Sequence, residues 1–83
     1  MRITYHYQLH AQCPVDNTTI DVYEFTIESA VMIKVETIIE CFVYAAGGPI
    51  FQEELTDRVA RKLGAKVTSV GWHSGVKTIC EAP

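Results

Sequence analysis

The sequence predicts an α+β domain with the order ββααββ, a four-stranded antiparallel sheet carrying two helices on one face. Three observations predict it. Residues 3–13 alternate with period two, the period of a half-buried strand. Residues 34–46 and 51–63 carry apolar side chains at helical spacing. Two further β-rich runs follow, at 66–72 and 76–81. Two hairpins flanking two helices form two layers, with both helical stripes buried on one sheet face. The other face is left for solvent, a ligand or another subunit.

The elements follow in order. In the first run Ile3, Tyr5, Tyr7, Leu9, Ala11 and Cys13 share one face, and Thr4, His6, Gln8, His10 and Gln12 the other. Pro, Asp and Asn at 14–18 make a turn or loop. Residues 19–28, "TIDVYEFTIE", are β-branched and aromatic and form the second strand. The period then changes. Val35, Ile38, Ile39, Phe42, Val43 and Ala46 make one stripe on a first helix. Gly47 is available for a left-handed cap, and Pro49 stops the helix. Phe51, Leu55, Val59, Ala60 and Leu63 give a second amphipathic helix, closed by Gly64. Glu53 and Glu54 fall in its first turn and Arg61 and Lys62 in its last, as the helix dipole favours. "HSG", residues 73–75, turns between the last two strands, with Gly75 supplying positive φ.

The chain has 83 residues, 48% of them hydrophobic. That predicts one small domain, 1–83, with apolar surface to spare for self-association. The net charge is −3, and no Lys/Arg run tracks phosphates, which argues against free nucleic acid as a main partner. No apolar stretch approaches membrane-span length, and the N-terminal residues lack the apolar core of a signal peptide. Cys13, Cys41 and Cys80 are an odd number with no CxxC pair. They suit free thiols in a reducing compartment and point to a cytoplasmic protein.

Several residues invite chemistry. Cys13 ends a strand beside a proline and is either a core thiol or a nucleophile. Asp21 stands inside a strand, where Asp is disfavoured, and is a candidate general acid; Asp16, in the turn, is the fallback. Glu53 is either a first-turn helix residue or a ligand anchor. His10, Cys13 and His73 are three possible zinc ligands. His10 and Cys13, however, point to opposite faces of a regular strand, so a shared metal needs a bulge or a subunit boundary. Cys41 and Cys80 read as packing residues.

The ββααββ order resembles the tunnelling fold, the family of GTP cyclohydrolase I, pyruvoyl-tetrahydropterin synthase and 7-cyano-7-deazaguanine reductase. Two stretches carry the resemblance. "PIFQEELTDRVARKL", residues 49–63, resembles the second helix of GTP cyclohydrolase I. There a Gln-Glu pair precedes Leu-Thr, and the glutamate anchors a purine- or pterin-like base. "CPVDNTTID", residues 13–21, resembles the Cys-Pro stretch of the deazaguanine reductases. In those enzymes the cysteine attacks a nitrile to form a thioimide, and a downstream aspartate donates a proton.

The resemblance implies a homo-oligomeric barrel with sites at subunit interfaces and a purine-like or pterin-like ligand. It assigns Cys13 as nucleophile and Asp21 as acid. Glu53 and Gln52 bind the base, and His73 contacts it. NADPH is the reductases' cofactor, but of its motif only Glu28-Ser29 is kept. The archaeosine-type amidinotransferase, which delivers an amine in place of a hydride, lacks that motif too. Of the cyclohydrolase zinc signature, Cys-Glu-His-His is absent and the later His-x-Cys stands as His73-Ser74-Gly75. A zinc-dependent pterin enzyme and a non-catalytic binding or assembly protein are the alternative expectations.

Overall fold

The structure, a computed structural model, describes residues 1–15 and 20–83. In chain order it holds β1 (Ile3–Gln12), β2 (Ile20–Ser29), α1 (Val35–Ala45), α2 (Gln52–Leu63), β3 (Lys66–His73) and β4 (Val76–Ala82). The strands form one sheet in the order β1-β2-β3-β4, every neighbour antiparallel. Both helices lie in the connection between β2 and β3. This is the predicted α+β architecture. Asp16 lies outside the described residues. Among the described residues no helix is long and apolar enough to cross a membrane.

Alternation decides which strand residues face the helices. Leu9 and Ala11 of β1, Tyr23, Phe25 and Ile27 of β2, and Val67 of β3 are buried. Ile38, Cys41, Phe42 and Ala45 of α1 and Leu55, Val59 and Ala60 of α2 close over them. Phe42 is at the centre, stacked on Tyr7 at 4.5 Å between centroids and edge-on to Phe25 at 4.7 Å. Such aromatic pairs add about 0.5–1.5 kcal/mol beyond their buried area.

The face that α1 buries differs from the predicted stripe. Ile38 and Phe42 are shared, but Val35, Ile39 and Val43 are exposed and Cys41 and Ala45 are inside. Apolar residues cover well over half the circumference of this helix. Hydropathy alone cannot say which part of so wide a band meets the sheet; contact with α2 and β1 selects 38, 41, 42 and 45. The helix stop also differs. Ala46 caps α1 with φ −100° and its N–H on the Phe42 carbonyl, and Gly47 takes no positive φ. Gly64 does close α2 in the left-handed region, at φ 62°.

The turn after β3 is tighter than predicted. His73 is the last ladder residue, paired with Val76, and Ser74 and Gly75 alone make the turn with φ of 51° and 85°. Positive φ at both positions is the signature of the type I′ hairpin, whose twist matches the strands. His73 therefore belongs to the strand and projects from the same face as Ser69 and Gly71.

Candidate functional site: a cavity where the sheet meets the first turn of the second helix

Strand register builds the site row by row. Leu9, Tyr23, Gly71 and Thr78 are successive cross-strand partners over all four strands. One row nearer the sheet end, Ala11 pairs with Asp21. Continuing the β2–β3 register by two residues brings Asp21 to His73, and their Oδ2 and Nδ1 atoms stand 3.7 Å apart. Cys13 follows the last paired residue of β1, Gln12. The first turn of α2 closes the row from above with Gln52 and Glu53.

The result is a cavity of about 420 Å³. Cys13, Asp21, Gln52, Glu53 and His73 all line it, with Tyr23, Phe51 and Thr78 among their neighbours. The sequence singled out those five side chains from four separate stretches, and the fold brings them to one wall in a single chain. Asp21 is nearly enclosed, with its side chain 11% exposed. Glu53 and Phe51 stand at the open mouth, both exposed.

The electrostatics follow from burial. Tyr23 is 1% exposed and donates its hydroxyl to Asp21 Oδ2 at 3.3 Å. Burial first, then the negative charge of Asp21, push the Tyr23 phenol far above its ordinary value of 10.0. It therefore stays a hydrogen-bond donor at neutral pH. Burial also raises the thiols of Cys41 and Cys80, with Glu53 adding to the effect at Cys80. Thiolate chemistry is disfavoured at both, in keeping with their packing role.

Gln52 lines the cavity, and its amide is held from within the protein. The residue is 1% exposed. Nε2 donates to Ser69 Oγ at 3.0 Å and to the Thr78 and Ser69 carbonyls at 3.1 and 3.3 Å. Oε1 meets His73 Nε2 at 2.8 Å. Thr56 completes this buried polar cluster, bonded to Ser69 Oγ at 2.6 Å and to the Gln52 carbonyl at 2.7 Å. The amide is thus fully engaged inside the protein.

Tyr23 is a site residue that residue type alone did not mark, and Gly71 is the position that makes room for it. Their signal was period two. Tyr23 is two residues after Asp21 and Gly71 two before His73, so each shares its neighbour's face. Gly71 is there for space: a methyl group on it would meet Tyr23 Cδ1 at 2.5 Å and Cε1 at 2.6 Å.

The zinc set is not assembled in the chain. His10 is exposed on the opposite face of β1, and among the described residues no three His, Cys, Asp or Glu side chains come together as a metal site. The nicotinamide remnant does not fit the cavity either. Glu28 and Ser29 end β2, seven and eight residues from Asp21, a span of roughly 23 Å or more at strand rise. Ser29 Oγ accepts the Val31 N–H, and Glu28 faces Lys66 at 3.9 Å.

Strand order, register and helix placement define the class: this is a ββααββ tunnelling fold. A solved structure shares it. The crystal structure of the archaeosine synthase QueF-Like in the apo form superposes with a TM-score of 0.77 and 22% sequence identity, over 98% of this chain and 90% of that one. No family model matches the chain, and no curated protein matches it in sequence.

Proposed function

We propose that the protein binds a purine-like base carrying an electrophilic carbon, best a nitrile of the 7-cyano-7-deazaguanine kind, and adds Cys13 to that carbon. One observation carries the reading. Cys13, Asp21, Glu53 and His73 line one cavity, in a fold shared with an archaeosine synthase. Glu53 offers two acceptor oxygens at the mouth, which suit the adjacent ring N–H and exocyclic NH₂ donors of a guanine-type edge. Phe51 beside it offers a ring face on which a flat base can stack.

In the first step the Cys13 sulfur bonds to the nitrile carbon and one C–N π bond breaks. Asp21 takes the proton that the Cys13 thiol loses and passes it to the resulting nitrogen anion, leaving a thioimide. In the second, an amine adds to the same carbon, the C–S bond breaks, and the Cys13 sulfur leaves with the proton the amine loses, giving an amidine. Nothing is oxidised or reduced. Glu28 and Ser29 are engaged with Lys66 and Val31 and offer the cavity no nicotinamide contact. The same reading has subunits joining the edge strands β4 and β1 into a barrel, in a cytoplasmic homo-oligomer.

The test is intact mass spectrometry after incubation with 7-cyano-7-deazaguanine. The expected result is a gain of one base per chain, absent in Cys13→Ala. No adduct, or an equal adduct in Cys13→Ala, overturns the nucleophile assignment. Base binding that is equally tight in both proteins, with no adduct in either, supports the non-catalytic alternative. Stoichiometric zinc in the purified protein supports the pterin-type alternative.

A further inference from the structure

Buried hydrogen bonds reveal which nitrogen of His73 carries a proton. The Ser69 and Thr78 carbonyls can only accept, and both lie against Nε2 of Gln52. That fixes the amide orientation, because the reversed amide would set its oxygen against two carbonyl oxygens. Gln52 Oε1 is then the atom 2.8 Å from His73 Nε2. It too can only accept, so His73 Nε2 bears hydrogen. The other ring nitrogen, Nδ1, is turned toward Asp21 Oδ2 at 3.7 Å.

We infer that Gln52 is a positioning residue: it holds His73 as the Nε2–H tautomer, so that Nδ1 is the nitrogen left to take up a proton beside Asp21 at the cavity wall. The role of that proton rests on the nitrile reading above. A bare Nδ1 lone pair facing a carboxylate is repulsive, and one proton between them removes the repulsion. The Cys13 thiol can supply it. As the thiolate forms, its proton moves onto the Asp21–His73 pair. As sulfur adds to the nitrile carbon, the pair returns that proton to nitrogen. The pair ends as carboxylate and neutral Nε2–H imidazole, and the net change is S–H added across one C–N π bond.

The surroundings fit this role. The other titratable groups that line the cavity are Tyr23 from β2, Cys13 after β1 and Glu53 from α2; β4 contributes only the neutral Thr78. Tyr23 donates to the same Asp21 oxygen and steadies the carboxylate without competing for its proton. Gln52 itself is held by Ser69 and Thr78, on two different strands, so the imidazole orientation is braced by the core.

The test reads the tautomer directly. Two-bond ¹H–¹⁵N correlation spectra of histidine-labelled protein, with His73 assigned through His73→Asn, are expected to show Nε2 protonated in the wild type at every pH. In Gln52→Leu both neutral tautomers are expected. An Nδ1–H tautomer in the wild type, or an Nε2–H tautomer unchanged in Gln52→Leu, overturns the inference. His73→Asn guards against a Gln52 variant that fails to fold, because its amide can still donate to Gln52 but cannot relay a proton. It is expected to slow adduct formation at saturating base roughly 10²-fold; an unchanged rate overturns the relay. If the wild type forms no adduct, the nitrile reading fails, while the tautomer result stands or falls by the spectra alone.

Discussion

At the scale of single residues, the site divides into groups that face the cavity and groups that hold them. Glu53 and Glu54 are neighbours with different surroundings. Glu54 pairs with Arg58 at 3.1 Å along the helix surface, whereas Glu53 lines the cavity. Glu53→Gln is expected to weaken base binding roughly ten- to a hundredfold, the value of hydrogen bonds to a charged group, and Glu54→Gln to leave it unchanged. Titration calorimetry checks this, and equal losses in the two variants would defeat the anchoring role. Tyr23 gives a pH prediction. Its folded-state pKa is raised, by burial first. Its stabilisation is therefore complete below the unfolded-state value near 10 and lost as pH climbs beyond it. Urea unfolding at pH 8 and pH 10.5 should show a larger loss of stability in the wild type than in Tyr23→Phe. Equal losses would separate Tyr23 from the alkaline transition. The sequence marked Cys13, Asp21, Glu53 and His73 as candidates through residue type and resemblance. It did not show that the Gln52 amide is turned inward, because that orientation is set by carbonyls 17 and 26 residues away.

At the scale of elements, periodicity settled most of what was visible. The ten-residue alternation of β1 gave the strand and its inward face directly. On α1, the same kind of reading found the helix but selected a rotated stripe, because Val35, Ile39 and Val43 are as apolar as the residues that are buried. Gly71 illustrates a position that only cross-strand register explains. It pairs with Tyr23, whose ring occupies the space a side chain would need. Gly71→Ala is expected to cost about 1–3 kcal/mol of stability, as overpacking of a filled site does. It should also displace the Tyr23 ring from Asp21. Chemical denaturation and the Tyr23 ring resonances test the two effects, and an unchanged midpoint would mean that the ring has room to move. Phe42→Ala, at the junction of Tyr7 and Phe25, should cost more, about 3–5 kcal/mol.

At the scale of the whole molecule, the helices cover one sheet face and leave the other open. That open face carries Ile20, Val22, Trp72 and Ile79, all exposed, and among the described residues β1 and β4 are the edge strands of the sheet. Open edges and exposed apolar side chains of this kind are ordinarily blunted or covered. Both features support the homo-oligomeric reading. Light scattering is expected to give a mass that is a multiple of 9.3 kDa, reduced by Trp72→Glu. A wild-type protein that stays monomeric at micromolar concentration would remove the barrel from the proposed function. It would leave the cavity intact, since its lining residues come from one chain.

The sequence by itself determined the element order, the sheet's inward face and the residue types capable of chemistry. These depend on local periodicity, turn chemistry and the identity of the side chains. Only the tertiary structure decided which of them meet. Asp21 reaches His73 because β2–β3 register aligns residues 52 positions apart. Gln52 lines the cavity with its amide nitrogen held in the core because Ser69 and Thr78 present carbonyls there. A 10-residue alternation cannot encode such partners, since register and orientation are properties of pairs of segments. Their energies arise only once distant strands and the first turn of α2 have come together.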